Sequence, residues 1–249
     1  MSKVQQYREI LRNTSDWEAF LLRESGLPGP RGNLELAQAV ADEGDEPLFR
    51  RLLSFGPQQA PVNSPYEFLA FCGAVGLGKV LAEGNRQVLD DLRRCASDPR
   101  WRMREGVAMA LQRWGDKDMD ALLGAMEEWS QGNPLEQRAA AAALCEPRLL
   151  GQERHARQVL HILDGITESL LRVQDRKSDR CKALAQGLGY CWSVAIAALP
   201  EQGKQAMEKW LASTDPDVRW VMKENLKKNR LLRLDPAWVQ RWSDRLATV

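Results

Sequence analysis

The stretch "SDPRWRMREGVAMALQRWGD", residues 97–116, holds a turn followed by a helix. Met103, Val107, Ala110, Leu111 and Trp114 fall at offsets 0, 4, 7, 8 and 11, one face of a 3.6-residue period. The turn carries Asp98-Pro99, a pair with a specific physical meaning. A short polar side chain accepts a hydrogen bond from a free first-turn amide. Proline at the first helical position needs no donor and already has helical φ. The pair recurs as Ser64-Pro65, Asn133-Pro134 and Asp215-Pro216, spaced 34, 35 and 82 residues. The last gap is about two periods, and Ser178-Asp179 falls inside it. Helix starts recurring at this period are the signature of stacked helical hairpins.

Working outward, the spacing predicts hairpins over 46–55 with 65–82, 86–96 with 99–114, 118–130 with 134–145, 153–173 with 178–198, and 201–212 with 216–229. Helices near 2–12, 15–25 and 33–43 precede them, and 236–246 follows Asp235-Pro236. No run of alternating β-branched and aromatic residues lies between hairpin turns, so the chain reads as all-α. It is expected to be one domain over 1–249, with capping helices at 1–45, repeats at 46–230 and a cap at 235–249. The loop Gly56–Asn63 is a secondary boundary candidate.

Apolar residues make up 44% of 249 and the formal net charge is +1. A large core follows, and no global pull toward nucleic acid or membrane. Five cysteines without C-x-x-C spacing, mostly in apolar runs, fit reduced buried thiols and a cytoplasmic setting. The N-terminus has no apolar signal core, and the weakly polar run Phe68–Gly78 is too short for a bilayer. No metal and no cofactor is expected: His155 and His161 are six apart, not at the i, i+4 spacing that joins two ligands on a helix. "GAVGLGKV", residues 73–80, lacks the phosphate-loop spacing and reads as glycines admitting a neighbouring helix. Trp114, Trp129, Trp192 and Trp210 fall on apolar faces, Trp101 and Trp220 among cations, and Trp238 and Trp242 on the stripe of the last helix.

"DPRWRMREGVAMAL" and "DPDVRWVMKENL" resemble HEAT repeats, with Asp98, Trp101 and Arg102, and Asp215, Val218 and Arg219, at the shared positions. The resemblance implies a right-handed superhelical solenoid of about five hairpins. It also implies that Arg102 and Arg219 bridge adjacent repeats. A narrower resemblance is to the HEAT-like alkylpurine DNA glycosylases, the DNA alkylation repair enzymes. That family carries Ala-Ser-Asp, a Trp, and an Arg three residues later that contacts DNA, here Ala96, Ser97, Asp98, Trp101 and Arg104. One hairpin earlier it has a Trp and, four residues on, a catalytic Asp; here these are Tyr66 and Ala70. Base excision needs a carboxylate to stabilise charge developing at the sugar, and alanine supplies none. Glu67, one turn before Ala70, is the substitute.

Three functions follow as expectations. The favoured one is a non-catalytic scaffold holding a protein or peptide on its concave face. The next is a binder of double-stranded DNA, with Arg100, Arg104, Arg180, Arg219, Lys223 and Lys227 on phosphates and Tyr66 and Trp101 beside them. The last is a glycosylase using Glu67.

Overall fold

The computed structural model describes residues 1–247. Every regular element among them is helical. The chain forms two compact units, Met1–Asp118 and Met119–Val249.

The first unit contains α1 (Lys3–Arg12), α2 (Trp17–Glu24), α3 (Leu34–Glu43), α4 (Glu46–Leu53), α5 (Pro65–Ala82), α6 (Val88–Ala96) and α7 (Trp101–Lys117). Its centre is α5, which packs against α3, α4 and α7 and touches α2 and α6. Fourteen of the eighteen residues of α5 are buried. Three glycines make that possible. A β-carbon on Gly73 would stand 2.6 Å from the Leu53 amide nitrogen of α4. One on Gly76 would enter the Phe49 ring at 2.2 Å, and one on Gly78 would meet Ala110 of α7 at 2.5 Å. Lys79 Nζ donates to the carbonyls of Asp42 (3.1 Å) and Gly44 (2.9 Å), satisfying the end of α3. The glycine-rich stretch is thus a helix–helix contact surface, as its spacing implied.

The second unit contains α8 (Met119–Trp129), α9 (Pro134–Leu144), a 3-10 turn at Pro147–Leu150, α10 (Glu153–Leu170), α11 (Asp179–Ala198), α12 (Pro200–Leu211), α13 (Pro216–Leu226), α14 (Asn229–Leu234) and α15 (Pro236–Ala247). Here α11 is central, packing against α9, α10, α12 and α13. Trp192 lies fully buried on it, its indole N–H donating to Thr167 Oγ1 at 2.9 Å. Asn225 of α13 binds α11 directly: its Nδ2 donates to Leu188 O and its Oδ1 accepts from Ser193 N, both at 2.8 Å. Trp238 and Trp242 are buried on α15, both indoles turned to Glu208 of α12.

Consecutive helices pair as the sequence spacing predicts: α4 with α5, α6 with α7, α8 with α9, α10 with α11 and α12 with α13. Within each unit the second helices also pack side by side, α5 with α7 and α9–α11–α13, and α3 packs against α5. Ser64, Asn133, Ser178, Asp215 and Asp235 accept hydrogen bonds from first-turn amides.

Two expectations need correction. Asp98 does not cap α7. Its Oδ1 accepts from the Arg100 amide at 2.8 Å and its carboxylate is gripped by the Arg100 guanidinium, so the helix begins at Trp101. The expected helix 216–229 stops at Leu226. Lys228 turns extended (ψ 126) and starts the short α14, which turns Leu231 into the core. The loop Gly56–Asn63 is fastened inside the first unit, because Arg100 Nη1 donates to Phe55 O (2.9 Å) and Ala60 O (3.2 Å).

Candidate binding surface

The first unit brings together the glycosylase-like residues. Ser64 caps α5, accepting from the Glu67 amide at 3.3 Å. Glu67 turns back so that its Oε2 accepts from Asn63 N at 2.7 Å, a variant of the capping box. Arg102 of α7 reaches the same oxygen with Nη1 at 3.1 Å, joining the N-terminal ends of two neighbouring helices. Its Nη2 donates to Gly29 O (2.7 Å) and Asn63 Oδ1 (3.3 Å). Asn63 holds this corner at φ 65, a left-handed conformation asparagine tolerates. Glu67 is 0% exposed, and its second oxygen and Arg102 Nε find no hydrogen-bond partner among the described residues. Ala70 is fully buried in the α5 core. Glu67 therefore has no face open to a substrate.

Two of the nucleic-acid candidates here are on the surface. Tyr66 and Trp101 are 45% and 44% exposed at the ends of α5 and α7. Arg100, at 3% exposure, is not: its guanidinium is held by Asp98 and two loop carbonyls, so it offers no charge to a phosphate. Arg104 is half-buried, with Nη1 on Asp98 O and Pro99 O at 2.8 and 3.1 Å. The arginines near the start of α7 thus fasten turns. Arg102 links α7 to α5 through the Glu67 carboxylate.

The second unit presents a different surface. Helices α11 and α13 run side by side with their N-termini together. Arg176, just before α11, pairs with Asp215 and with Asp217 (3.2 Å) at the start of α13. Burial alone would raise the Asp215 carboxyl, but Arg176 and the amides of Val218 and Asp217 outweigh it and hold its pKa below the usual carboxylate value. Beyond that pair lies a cleft of about 160 Å³. Cys181, Lys182, Ala185 and Gln186 line it from α11, and Asp217 and Trp220 from α13.

Trp220 is 44% exposed. It lies over Gly189 of α11, where a β-carbon would be in ordinary contact with the indole at 3.5 Å and crowded only by Glu224 Cβ at 3.1 Å. One residue on, Tyr190 is also 44% exposed. Arg230 and Lys228, swung back by the break before α14, sit over its ring at 4.7 and 5.9 Å. Arg230 also donates to its hydroxyl.

The carboxylates of this face are engaged: Asp217 by Arg176, Glu224 by Lys227. Lys177, Arg180 and Lys223 are exposed, and none has a hydrogen bond or ion pair to a described residue. Arg219 is half-buried and turns away, its Nη2 donating to Leu246 O of α15 at 3.0 Å. Of the second-unit candidates, Arg180 and Lys223 thus stand as unpaired surface cations and Lys227 as a paired one. Tyr190 and Gln186 went unread, though with Lys182 they form an i, i+4, i+8 stripe on α11.

Among the described residues no group of three or more His, Cys, Asp or Glu side chains could hold a metal ion. His155 is buried, with Nε2 3.0 Å from Asp120 Oδ1, and His161 is exposed elsewhere on α10. Compared with known proteins, the chain matches no protein family, no curated protein and no solved structure.

Proposed function

We propose that this chain is a binding scaffold of HEAT-like hairpins in a right-handed superhelical stack, working in the cytoplasm and holding a protein or peptide on its second helices. The observation that carries this reading is the α11–α13 face. Two half-exposed aromatic residues lie on it: Trp220 lines a cleft, and Tyr190 stands one helical turn beyond Gln186 of its lining. Exposed aromatics seated beside a concavity are what dominates the energetics of protein interfaces. The side-by-side packing of second helices within each unit supports the hairpin stack. The test is to select peptides on the chain from a displayed random library and remeasure each on a Trp220→Ala/Tyr190→Ala variant. Loss of binding for most of them is expected. Equal binding to the variant overturns the assignment of the surface.

One observation favours a second reading, attachment to double-stranded DNA. Lys177, Arg180 and Lys223 are exposed cations with no carboxylate partner in the described residues. Such a complex would weaken steeply as salt rises, with a slope that counts the phosphates contacted. Absence of binding to a short duplex at low salt eliminates this reading. The glycosylase alternative would rest on Glu67, and the ion pair that buries it argues against it.

A further inference from the structure

We propose that the α11–α13 face takes an acidic peptide segment, one apolar side chain seated in the cleft against Trp220 and flanking carboxylates held by Lys182 and Lys223. The proposal rests on the binding reading above and adds the chemistry of the partner.

The cleft sets the central contact. Its lining includes the small or apolar Cys181 and Ala185 and the Trp220 indole, with Arg176, Lys182, Gln186 and Asp217 as the polar part. A volume of about 160 Å³ has room for a single apolar side chain and not for a folded element. The surroundings set the charge. Lys182 borders the cleft, and its Asp179 neighbour is fully exposed at 3.3 Å, a solvated pair that an incoming carboxylate can replace at little cost. Lys223 is one helical turn beyond Trp220, exposed and unpaired among the described residues. Lys177 and Arg180 add unpaired positive charge near the N-terminal end of α11. Asp217, Glu224 and Asp179 each already have a cation, Arg176, Lys227 and Lys182, so the charge left over from Lys177, Arg180 and Lys223 is positive.

The spacing favours a peptide over a single nucleic-acid strand. From Lys182 to Tyr190 the face runs roughly 12 Å along α11, the length of about four extended residues. A nucleic-acid strand carries a negative charge on every nucleotide and so cannot leave the apolar centre of this face uncharged. A peptide can place its charges at the flanks and leave the centre apolar, which is the order of the residues here.

The test uses the full chain and four fluorescein-labelled probes in anisotropy titrations. These are an acidic dodecapeptide with one central phenylalanine, the same peptide with every acid replaced by glutamine, the same with lysines, and a twelve-nucleotide oligothymidylate. Three results are expected. The acidic peptide binds at least ~10-fold tighter than the neutral one. Trp220→Ala weakens it about 10-fold. Lys182→Glu with Lys223→Glu removes its advantage over the neutral peptide. All three side chains are exposed, and an unchanged circular dichroism melt shows that each variant still folds.

Equal binding of the acidic and neutral peptides, or indifference to the double charge reversal, overturns the proposal. Tighter binding of the oligothymidylate than of the acidic peptide overturns it in favour of a nucleic-acid strand. Failure of the acidic class alone is distinguishable from failure of the binding reading. In the first case library peptides of another composition still depend on Trp220 and Tyr190, and in the second none does.

Discussion

The buried pair between Glu67 and Arg102 should behave asymmetrically toward single and double substitution. Glu67 is 0% exposed and the Arg102 side chain 7% exposed. Arg102→Met removes three hydrogen bonds, to Glu67 Oε2, Gly29 O and Asn63 Oδ1, and leaves the Glu67 carboxylate in the interior with only the Asn63 amide. Stranding one member of a buried pair typically costs about 3–5 kcal/mol. Here two polar atoms, Glu67 Oε1 and Arg102 Nε, have no hydrogen-bond partner among the described residues, so the pair does not satisfy all of its own polar groups. Replacing both members, Glu67→Gln with Arg102→Met, removes both charges while the glutamine carbonyl still accepts from Asn63. That variant should lie within about 2 kcal/mol of wild type, the remaining cost being the lost bonds to Gly29 O and Asn63 Oδ1. The coupling energy between the two sites is then at least about 1–3 kcal/mol, and larger by whatever Glu67→Gln costs alone. The assay is equilibrium urea unfolding followed by far-ultraviolet circular dichroism, reading the transition that responds to α5 and α7 substitutions. A single-variant loss below 1 kcal/mol, or a double variant as unstable as the sum of the singles, refutes the assignment of Glu67 as a buried structural carboxylate.

The glycines of α5 and α10 should respond in opposite directions. Gly73→Ala places a β-carbon 2.6 Å from the α4 backbone and should lower stability by about 1–3 kcal/mol, whereas Gly165→Ala meets nothing within 4 Å and should raise it by about 0.5–1 kcal/mol; thermal melts separate the two, and a stabilising Gly73→Ala would contradict the packing. At low pH, Glu43 is the group to watch. The hydrogen bond from Arg12, then that from Arg8, holds its carboxyl down at about 2, against burial, which acts to raise it. Its contribution is present above the unfolded value of 4.5 and fades as pH falls through 2, so the stability gap between wild type and Glu43→Gln should close over that window in acid unfolding; a pH-independent gap rejects it. Burial, then Asp98 and Asp91, pushes the Cys95 thiol up to about 11, and burial raises Cys72, Cys145 and Cys181 too. Native chain at pH 8 should therefore react slowly with Ellman's reagent and yield all five thiols only in guanidinium, and a fast stoichiometric burst counts against it.

Helix order and boundaries were legible because their signals are local. Ser64, Asn133 and Asp215 cap the helices that start at the following prolines, and the 3.6-residue period of 101–114 places Met103, Val107, Leu111 and Trp114 in the core. The exception at Asp98 is itself local, an arginine two residues on competing for the carboxylate that should have capped. The break after Leu226 carried no proline or glycine and went unread, since it is set by Leu231 finding a place in the core. The candidate surface was half legible. Clustered Lys and Arg show in a sequence, but whether a guanidinium faces water or a loop carbonyl does not. Arg100 and Lys223 look alike on paper, and one is buried while the other is exposed and unpaired among the described residues. Tyr190 gained its place through Lys228 and Arg230, some forty positions away, a relation no short window contains.

The glycine-bearing α5 sets a condition on how the chain is made. By length and composition it is apolar enough to cross a membrane, and 78% of it is buried. One of the helices that covers it, α7, is synthesised later, after α6. Until α7 emerges, the Gly78 flank of α5 faces the medium as a greasy, nearly charge-free surface of the kind that chaperones and membrane-insertion machinery capture. Ribosome-bound chains ending before Trp101 are therefore the ones exposed to mistargeting and clumping, and slowing translation between α5 and α7 lengthens that hazard without altering a single residue of the finished protein.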